Sequence, residues 1–219
     1  LLRLFLQFLV TFWVSFNGIG FSSINLYLPF YGDLTLSFPF ILQHIFNAIW
    51  IVGLTNSINW IDGIDSLAAG YSSILSLGLC LLMVIHGNYE GLIFFSIVLG
   101  SIIGFLIRNF KPAYYIMGDC GSNFLGFILS SSSLLFINNN EVSTINIYYL
   151  LIIFSLPIFD MLFVITSRFI NNKNIFLPDR SHIHHRLLDL NLDHKYIISI
   201  LYFYSVISVS LGIFLLKNY

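Results

Sequence analysis

Charged side chains are scarce in this sequence. They make up 9% of its 219 residues, whereas about a quarter of the residues in an ordinary soluble domain are charged. Hydrophobic residues make up 58%, so most of the chain cannot face water, which excludes a soluble enzyme. The net charge of -1 offers no clustered positive charge for nucleic acid. The composition therefore predicts an integral membrane protein with no nucleic-acid partner.

Cysteine is also scarce, and the two thiols, Cys80 and Cys120, cannot build a disulfide scaffold. The first apolar run lacks the small-residue cleavage site of a secretory leader. The chain begins LLRLFLQF without an initiating Met, which leads us to expect that an earlier part is missing. We find no repeat and no second domain. The prediction is one integral membrane domain over residues 1–219, the C-terminal portion of a longer protein.

Seven apolar stretches are long enough to cross a bilayer as helices. A hydrocarbon core about 30 Å thick needs roughly 20 mostly apolar residues for each helical crossing. The fifth stretch is short and contains serines, whose hydroxyls can bond within a helix. The predicted fold class is all-α, a polytopic membrane helix bundle with about seven transmembrane helices. They fall near residues 4–20, 39–55, 67–86, 91–108, 122–137, 145–167 and 196–216.

Basic residues indicate which side of the membrane each connection faces, because Lys and Arg accumulate in cytoplasmic loops. If the seven helices alternate in direction, one face has Lys217 as its sole basic residue, together with Asp33, Glu90 and Glu141. We therefore place residue 1 in the cytoplasm and the C-terminus outside. The basic residues of the cytoplasmic face are Arg3, Arg108, Lys111, Arg168, Lys173, Arg180, Arg186 and Lys195.

Most of the unusual polar residues lie in three stretches, 55–70, 108–126 and 167–190, and the predicted topology places all three on the cytoplasmic face. An ionisable residue in or beside a membrane helix indicates a functional site by default, because its burial in lipid is unfavourable. The three stretches are therefore expected to meet at one site.

The first stretch contains Asn59, Asp62 and Asp65, spaced by three, with Asn56 one turn earlier. On a helix this spacing projects all of them along one face. Two carboxylates with no nearby Lys or Arg repel each other unless a proton or a cation lies between them, and a divalent metal is the natural occupant. The alternative is a helix cap, in which Asp62 or Asp65 accepts backbone N–H groups at the start of the third span.

The second stretch places Gly118, Asp119, Gly121 and Ser122 before an apolar helix. Glycines allow a ligand close to the backbone, and the N–H groups of a helix N-terminus attract phosphate. An aspartate there opposes phosphate unless it holds a metal that the phosphate shares, and Mg²⁺ prefers one or two carboxylates plus substrate oxygens. The alternative is that Asp119 or Ser122 is an N-cap. Cys120 is expected to be a small buried residue.

The third stretch contains His182, His184 and His185 between Arg180 and Arg186. Zinc is a poor fit, because structural zinc sites usually include cysteine and a wider spacing. Arginine and histidine together suit a polyanion, to which Arg makes bidentate contacts and His donates hydrogen bonds. The alternative is a basic loop attracted to anionic lipid headgroups.

Acidic and basic clusters at one membrane surface fit a substrate that is anionic, metal-bound and partly lipidic. A diphosphate fits this description, and the acceptor would enter sideways from the lipid. Mg²⁺ would neutralise charge on the departing phosphate while Arg and His stabilise the remainder. Asp160, which follows Pro157 inside the sixth apolar run, either packs between helices or faces this site.

Three motifs resemble the polyprenyl-phosphate N-acetylhexosamine-1-phosphate transferases of glycosyltransferase family 4, relatives of the phospho-MurNAc-pentapeptide transferases. They are NSINWIDGIDSL at 56–67, MGDCGSNFLG at 117–126 and PDRSHIHHRL at 178–187. The resemblance implies transfer of a sugar 1-phosphate, taken as GlcNAc-1-phosphate, from a UDP-N-acetylhexosamine to a polyprenyl phosphate such as undecaprenyl phosphate. It further implies release of UMP, dependence on Mg²⁺ or alternatively Mn²⁺, and a role in initiating cell-envelope polysaccharide synthesis. The implied location is the cytoplasmic face of the inner membrane, among membrane lipids, with a homodimer as an option.

The resemblance also implies roles for individual residues. Asp119 matches the metal-binding aspartate of a Gly-Asp-x-Gly-Ser motif, with Asp62 as the second implied metal ligand. Ile183 favours the N-acetylhexosamine branch, because the MurNAc-pentapeptide branch is expected to carry three successive histidines. The implied catalytic residues are Asp62, Asp65, Asp119 and His184, and the implied substrate-binding residues are Asn56, Asn59, Asn109, His182, His185 and Arg186.

The chain departs from the family pattern at two points. The family carries an adjacent aspartate pair before the first span, and this chain has none, so the sequence is either truncated or from a protein without activity. We expect the 219-residue piece alone to be inactive. Ser66 stands where the family usually has glycine. A non-catalytic remnant that binds lipid phosphate, or a membrane scaffold, is the alternative function, and a transporter would require paired polar breaks at mid-depth.

Overall fold

The computed structural model describes residues 2–21, 23–28, 32–138, 147–173 and 181–217. Within these ranges the chain is helical, as predicted, and one antiparallel hairpin joins the first two helices, with Ser23 opposite Ser37. The strands are β1, Ser23–Leu28, and β2, Gly32–Ser37. The helices are α1, Leu2–Phe16; α2, Phe40–Ile61; α3, Leu67–Ile85; α4, Tyr89–Asn109; α5, Gly118–Asn138; α6, Ile147–Ile153; α7, Ser155–Ile170; α8, Ile183–Asp189; and α9, His194–Lys217.

The hairpin was not predicted. The sequence analysis treated residues 21–38 as a plain connection, although the run SINLYL alternates polar and apolar residues with the period of two that is typical of a strand. The alternation covers only 6 residues, so the longer apolar stretches on either side dominate the hydrophobicity pattern.

Four helices, α2, α3, α4 and α9, are long and apolar enough to cross a membrane, and α6 with α7 forms a fifth candidate span. The chain is therefore an integral membrane protein, but the predicted count of about seven spans is not confirmed. Helix α1 has 15 residues and reaches about 22 Å, short of a hydrocarbon core about 30 Å thick. Helix α5 is long enough, but it carries a polar first turn and four consecutive serines.

The sixth predicted span, residues 145–167, is broken in the structure. Helices α6 and α7 meet at an angle of 77°. Pro157 has no N–H group to donate to the carbonyl of Ile153, where α6 ends, and a missing bond of this kind ends or kinks a helix. The bend is what directs α7 toward the polar end of the bundle.

Helix α2 lies at the centre of the bundle and contacts α1, α5, α7 and α3. Its crossing with α5 is close because Gly126 has no side chain. A Cβ atom added there would lie 2.7 Å from the Thr55 Cα and 2.9 Å from the Thr55 carbonyl oxygen. Small residues allow membrane helices to approach this closely. The crossing brings the C-terminal turn of α2 beside the first turn of α5.

Candidate active site

The carboxylate of Asp119 lies in the first turn of α5 and joins two of the sequence motifs. Asn59 Nδ2 donates to Asp119 Oδ1 at 3.2 Å and to Ser122 Oγ at 2.8 Å. Arg3 Nη1 lies 3.4 Å from Asp119 Oδ2. Among the described residues, the partners of this carboxylate are therefore side chains of α1 and α2, and not the N–H groups of its own helix. The N-cap alternative for Asp119 is not what the structure shows.

A series of side-chain hydrogen bonds connects helix α1 to the site. Arg3 Nη2 donates to Asn56 Oδ1 at 3.2 Å, and Asn56 Nδ2 donates to Gln7 Oε1 at 2.8 Å. Gln7 Nε2 in turn donates to Asn123 Oδ1 at 3.1 Å. The sequence analysis missed Arg3 and Gln7 as site residues and used Arg3 only for sidedness. The available signal was that these two polar residues lie four apart, hence on one face of an otherwise apolar helix.

Asp62 and Asp65 lie where α2 ends, and the structure corrects the idea that they continue its helical face. Helix α2 stops at Ile61, Asp62 is its C-terminal cap, and Asp65 lies in the connection to α3. Neither caps α3, whose N-cap residue is Ser66. Burial, and then the negative charges of Asp119 and Asp65, raise the pKa of Asp62 to about 6. The acidic residues of the first two motifs therefore share one electrostatic environment.

Ser66 has a left-handed backbone, with φ at 67°, which gives a physical reason for the glycine usual in the family. An L-residue in this conformation costs roughly 1–2 kcal/mol. The connection is held by Asn109, whose Oδ1 accepts the Ser66 N–H at 2.9 Å and whose Nδ2 donates to the Tyr115 carbonyl at 2.8 Å. The buried amide of Asn109 thus links the connection between α2 and α3 to the segment that follows α4. The contact of Asn109 with a nucleotide stays a prediction.

The histidine motif meets the first motif at Gly63. His184 is 1% exposed, and a Cβ atom on Gly63 would lie 2.1 Å from His184 Nε2. The His185 ring centroid is 4.1 Å from that of His184. Burial, and then the neighbouring His185 and His182, lower the pKa of His184 to about 4, so it is a neutral hydrogen-bonding group near pH 7. Neither of its ring nitrogens has a partner within the described ranges.

His182 and Arg186 both contact α7. His182 Nδ1 lies 2.8 Å from Asp160 Oδ2, so Asp160 faces the site and is not simply a packing residue. The guanidinium of Arg186 lies 4.0 Å from the centroid of the Phe163 ring, close enough for a cation–π contact. Arg180 lies outside the described residues.

No group of three or more His, Cys, Asp or Glu side chains suited to a metal occurs in the part of the chain that the structure describes. Asp62 and Asp119 supply two carboxylates, one of them with a raised pKa, and Mg²⁺ takes one or two carboxylates and completes its shell with substrate oxygens and water. These residues therefore fit that ion.

A groove of about 470 Å³ lies between α1, α2 and α5. Arg3, Gln7 and Asp119 lie at its polar end, and the remaining lining is mostly apolar, including Leu6, Val10, Val52, Phe124 and Phe127. Cys120 also lines the groove and is exposed, which corrects the expectation that it is buried. Its position one residue after Asp119 on the first turn of α5 turns it toward the groove.

Gly63→Ala is expected to destabilise the protein by about 1–3 kcal/mol, a typical cost of overpacking, because the added methyl overlaps the buried His184 ring. Thermal unfolding in detergent measures this. Gly53→Ala is the control, since its Cβ meets the Met161 sulfur at an ordinary 3.5 Å. His184→Ala removes the ring, so adding Gly63→Ala to the His184→Ala protein should cause no further loss of stability. Additive losses would show that the two residues are not in contact.

Asp62→Asn is expected to stabilise the cation-free protein above about pH 6. Folding raises the pKa of Asp62 from 3.8 to about 6, so the protonated carboxyl stabilises the folded protein. This stability is fully present below pH 3.8 and is lost as the pH rises through about 6. The amide cannot ionise and avoids this loss. Since the carboxylate is partly exposed and screened, we expect a gain of no more than about 1 kcal/mol. Melting curves at about pH 8 and pH 4 should differ from wild type only at the higher pH, and Asp189→Asn is the control.

The sequence was also compared with known proteins. The model of glycosyl transferase family 4 matches residues 1–137. A probable undecaprenyl-phosphate N-acetylglucosaminyl 1-phosphate transferase of Bacillus subtilis is 43% identical over 155 residues, which are 70% of this chain and 43% of that protein. A decaprenyl-phosphate N-acetylglucosaminephosphotransferase of Mycobacterium leprae is 32% identical over 203 residues, 84% of this chain and 50% of that protein.

A relative with a different named substrate matches as well. A phospho-N-acetylmuramoyl-pentapeptide-transferase of Lactiplantibacillus plantarum is 34% identical over 140 residues, which are 64% of this chain and 42% of that protein. The chain spans about half the length of the curated relatives it matches.

Proposed function

Because this chain belongs to glycosyl transferase family 4, we propose that it carries the active site of an enzyme that transfers N-acetylglucosamine 1-phosphate from UDP-GlcNAc to a polyprenyl phosphate, releasing UMP. The observation that carries the proposal is the meeting of three distant motifs at one end of the bundle. Asn59 binds Asp119, Asp62 lies in the field of Asp119, and His184 packs on Gly63.

Asp62 and Asp119 are the residues that would hold Mg²⁺. A divalent cation there would offset the repulsion that raises the pKa of Asp62, and it would supply neutralisation of charge developing on the diphosphate. Arg3 and Asn59 orient the Asp119 carboxylate from opposite sides. Asp65 adds negative charge to the same environment and favours cation binding.

The histidine motif fits the diphosphate of the donor. His184 is neutral near pH 7 because burial lowers its pKa to about 4, so its ring nitrogens offer one donor and one acceptor without adding charge. Among the described residues of this motif, Arg186 carries positive charge on an exposed side chain. Phosphoryl transfer depends mainly on positioning and electrostatic stabilisation, which groups held in this way can provide.

The groove between α1, α2 and α5 fits the lipid acceptor. Its apolar lining suits an isoprenoid chain, and its polar end places Arg3 beside Asp119. Arginine is well suited to bind phosphate. We propose that the acceptor enters from the bilayer with its phosphate at Arg3. We also propose that this end of the bundle lies at the cytoplasmic face of the inner membrane, because the UDP-sugar donor is in the cytoplasm.

Undecaprenyl phosphate is expected to protect Cys120 from a thiol reagent in the complete gene product that contains this chain. Cys120 is exposed in the groove and Cys80 is buried, so within this chain labelling should report the groove. Mass spectrometry of labelled protein measures the protection, and a neutral polyprenol is the control for the phosphate.

The same preparation should release UMP from UDP-GlcNAc when undecaprenyl phosphate is added. Protection of Cys120 without UMP release would indicate the non-catalytic alternative, a protein that binds lipid phosphate only. Labelling that is unaffected by the lipid would contradict the placement of the acceptor.

A further inference from the structure

Asp160 on α7 and His182, the residue before α8, form a buried pair. The Asp160 side chain is 2% exposed and that of His182 is 9% exposed, with 2.8 Å between Oδ2 and Nδ1. The second carboxylate oxygen, Oδ1, accepts the backbone N–H of Ile183 at 2.7 Å. One carboxylate therefore holds both the ring of one residue and the backbone of the next.

We infer that Asp160 is a positioning residue that fixes the proton of His182 on Nδ1 and leaves Nε2 for the donor diphosphate. A carboxylate can only accept hydrogen bonds, so the nitrogen facing it must carry the proton. A buried carboxylate bonded in this way selects the tautomer and the orientation of an imidazole ring. The inference deepens the proposed function and rests on it for the identity of the donor.

The surroundings of His182 limit the ring to one orientation. The ring lies 5.2 Å from the Trp60 ring, between centroids, and is nearly parallel to His184 at 6.2 Å. Asp160 itself is fixed on α7, six residues beyond the bend that begins after Phe154. The ring is therefore held between α7 and the end of α2, beside the motif that contains Asp62.

Asp160→Asn separates positioning of the ring from support of the fold. The amide oxygen can still accept the Ile183 N–H, while the amide NH₂ faces His182 and can only donate. The proton of a neutral His182 must then move to Nε2. Asp160→Ala removes both bonds and shows what their combined loss does to stability.

The first measurement is ¹⁵N NMR of histidine-labelled protein in detergent, with the His182 signals assigned by their loss in His182→Gln. Wild type should show protonated Nδ1 and Asp160→Asn protonated Nε2, with melting temperatures close to each other. Asp189→Asn, at the exposed end of α8, is the matched control and should keep the wild-type tautomer. The same tautomer in wild type and Asp160→Asn would overturn the inference, whether or not the protein is active.

The second measurement is the kinetics of the complete gene product. A carboxylate that orients a metal-bound histidine commonly contributes about 10–100-fold in affinity or activity. By the same effect on ring orientation, we expect Asp160→Asn to raise the KM for UDP-GlcNAc by at least about tenfold. The KM for undecaprenyl phosphate should stay unchanged. A switched tautomer with an unchanged donor KM would overturn the assignment of His182 Nε2 to the donor. Wild-type protein that releases no UMP would contradict the proposed function, while the NMR result would still decide the role of Asp160.

Discussion

Asp119→Asn is expected to lower UMP release by a factor of roughly 1,000, with little change in melting temperature. The substitution keeps the size of the side chain and an oxygen that can accept from Asn59. It removes the negative charge that pairs with Arg3 and that, with Asp62, makes the site attractive to a divalent cation. The carboxylate is largely exposed, so folding should depend on it only slightly.

The assay is UMP formation by the complete gene product at increasing Mg²⁺ concentration. Glu90→Gln is the matched control, because Glu90 is an exposed acid in the first turn of α4, the end opposite to the one that carries Asn109 of the site. It should keep the wild-type rate. An Asp119→Asn protein that retains more than about a tenth of the wild-type rate would show that Asp119 does not hold the cation.

Gly126→Ala is expected to destabilise the protein by about 1–3 kcal/mol and to remove activity with it. Alanine is favoured over glycine in a helix by about 1 kcal/mol, so the clash has to outweigh this gain. It does so because the added Cβ would meet backbone atoms of Thr55 at 2.7 and 2.9 Å, and backbone cannot rotate away as a side chain can. Helix α5 would have to move from α2, which separates Asn59 from Asp119.

Gly104→Ala provides the control for Gly126→Ala. Both glycines lie inside long helices, but a Cβ on Gly104 meets nothing within 4 Å. Thermal unfolding in detergent should show a lower melting temperature for Gly126→Ala and an equal or higher one for Gly104→Ala. If the two variants melt alike, the close crossing of α2 and α5 is wrong.

Much of the architecture could be predicted because hydrophobicity acts over long windows. A stretch of about 20 apolar residues indicates a membrane helix whatever surrounds it, and four such stretches appear as the predicted helices α2, α3, α4 and α9. Helix ends were harder, because they depend on single residues. Helix α2 continues to Ile61 beyond the predicted end at residue 55, and α5 begins at Gly118 instead of residue 122.

The site was predictable to the extent that its residues are chemically unusual in an apolar chain. Aspartates and histidines stand out in such a sequence, and the structure brings the motifs that contain them together. Arg3 and Gln7 stood out less, since a basic residue near a helix end is ordinary in a membrane protein. Their place in the site depends on the packing of α1 against α2, which no local pattern reports.

Sequence alone determined that this is a helical membrane protein of glycosyl transferase family 4, because composition and motif spacing are properties of the chain itself. Tertiary structure decided which atoms meet: Asn59 with Asp119, His184 with Gly63, and Asp160 with His182. The reason is that these contacts join residues from 22 to 121 positions apart, so they exist only where the close crossing at Gly126 and the bend after Phe154 bring separate helices to one end of the bundle.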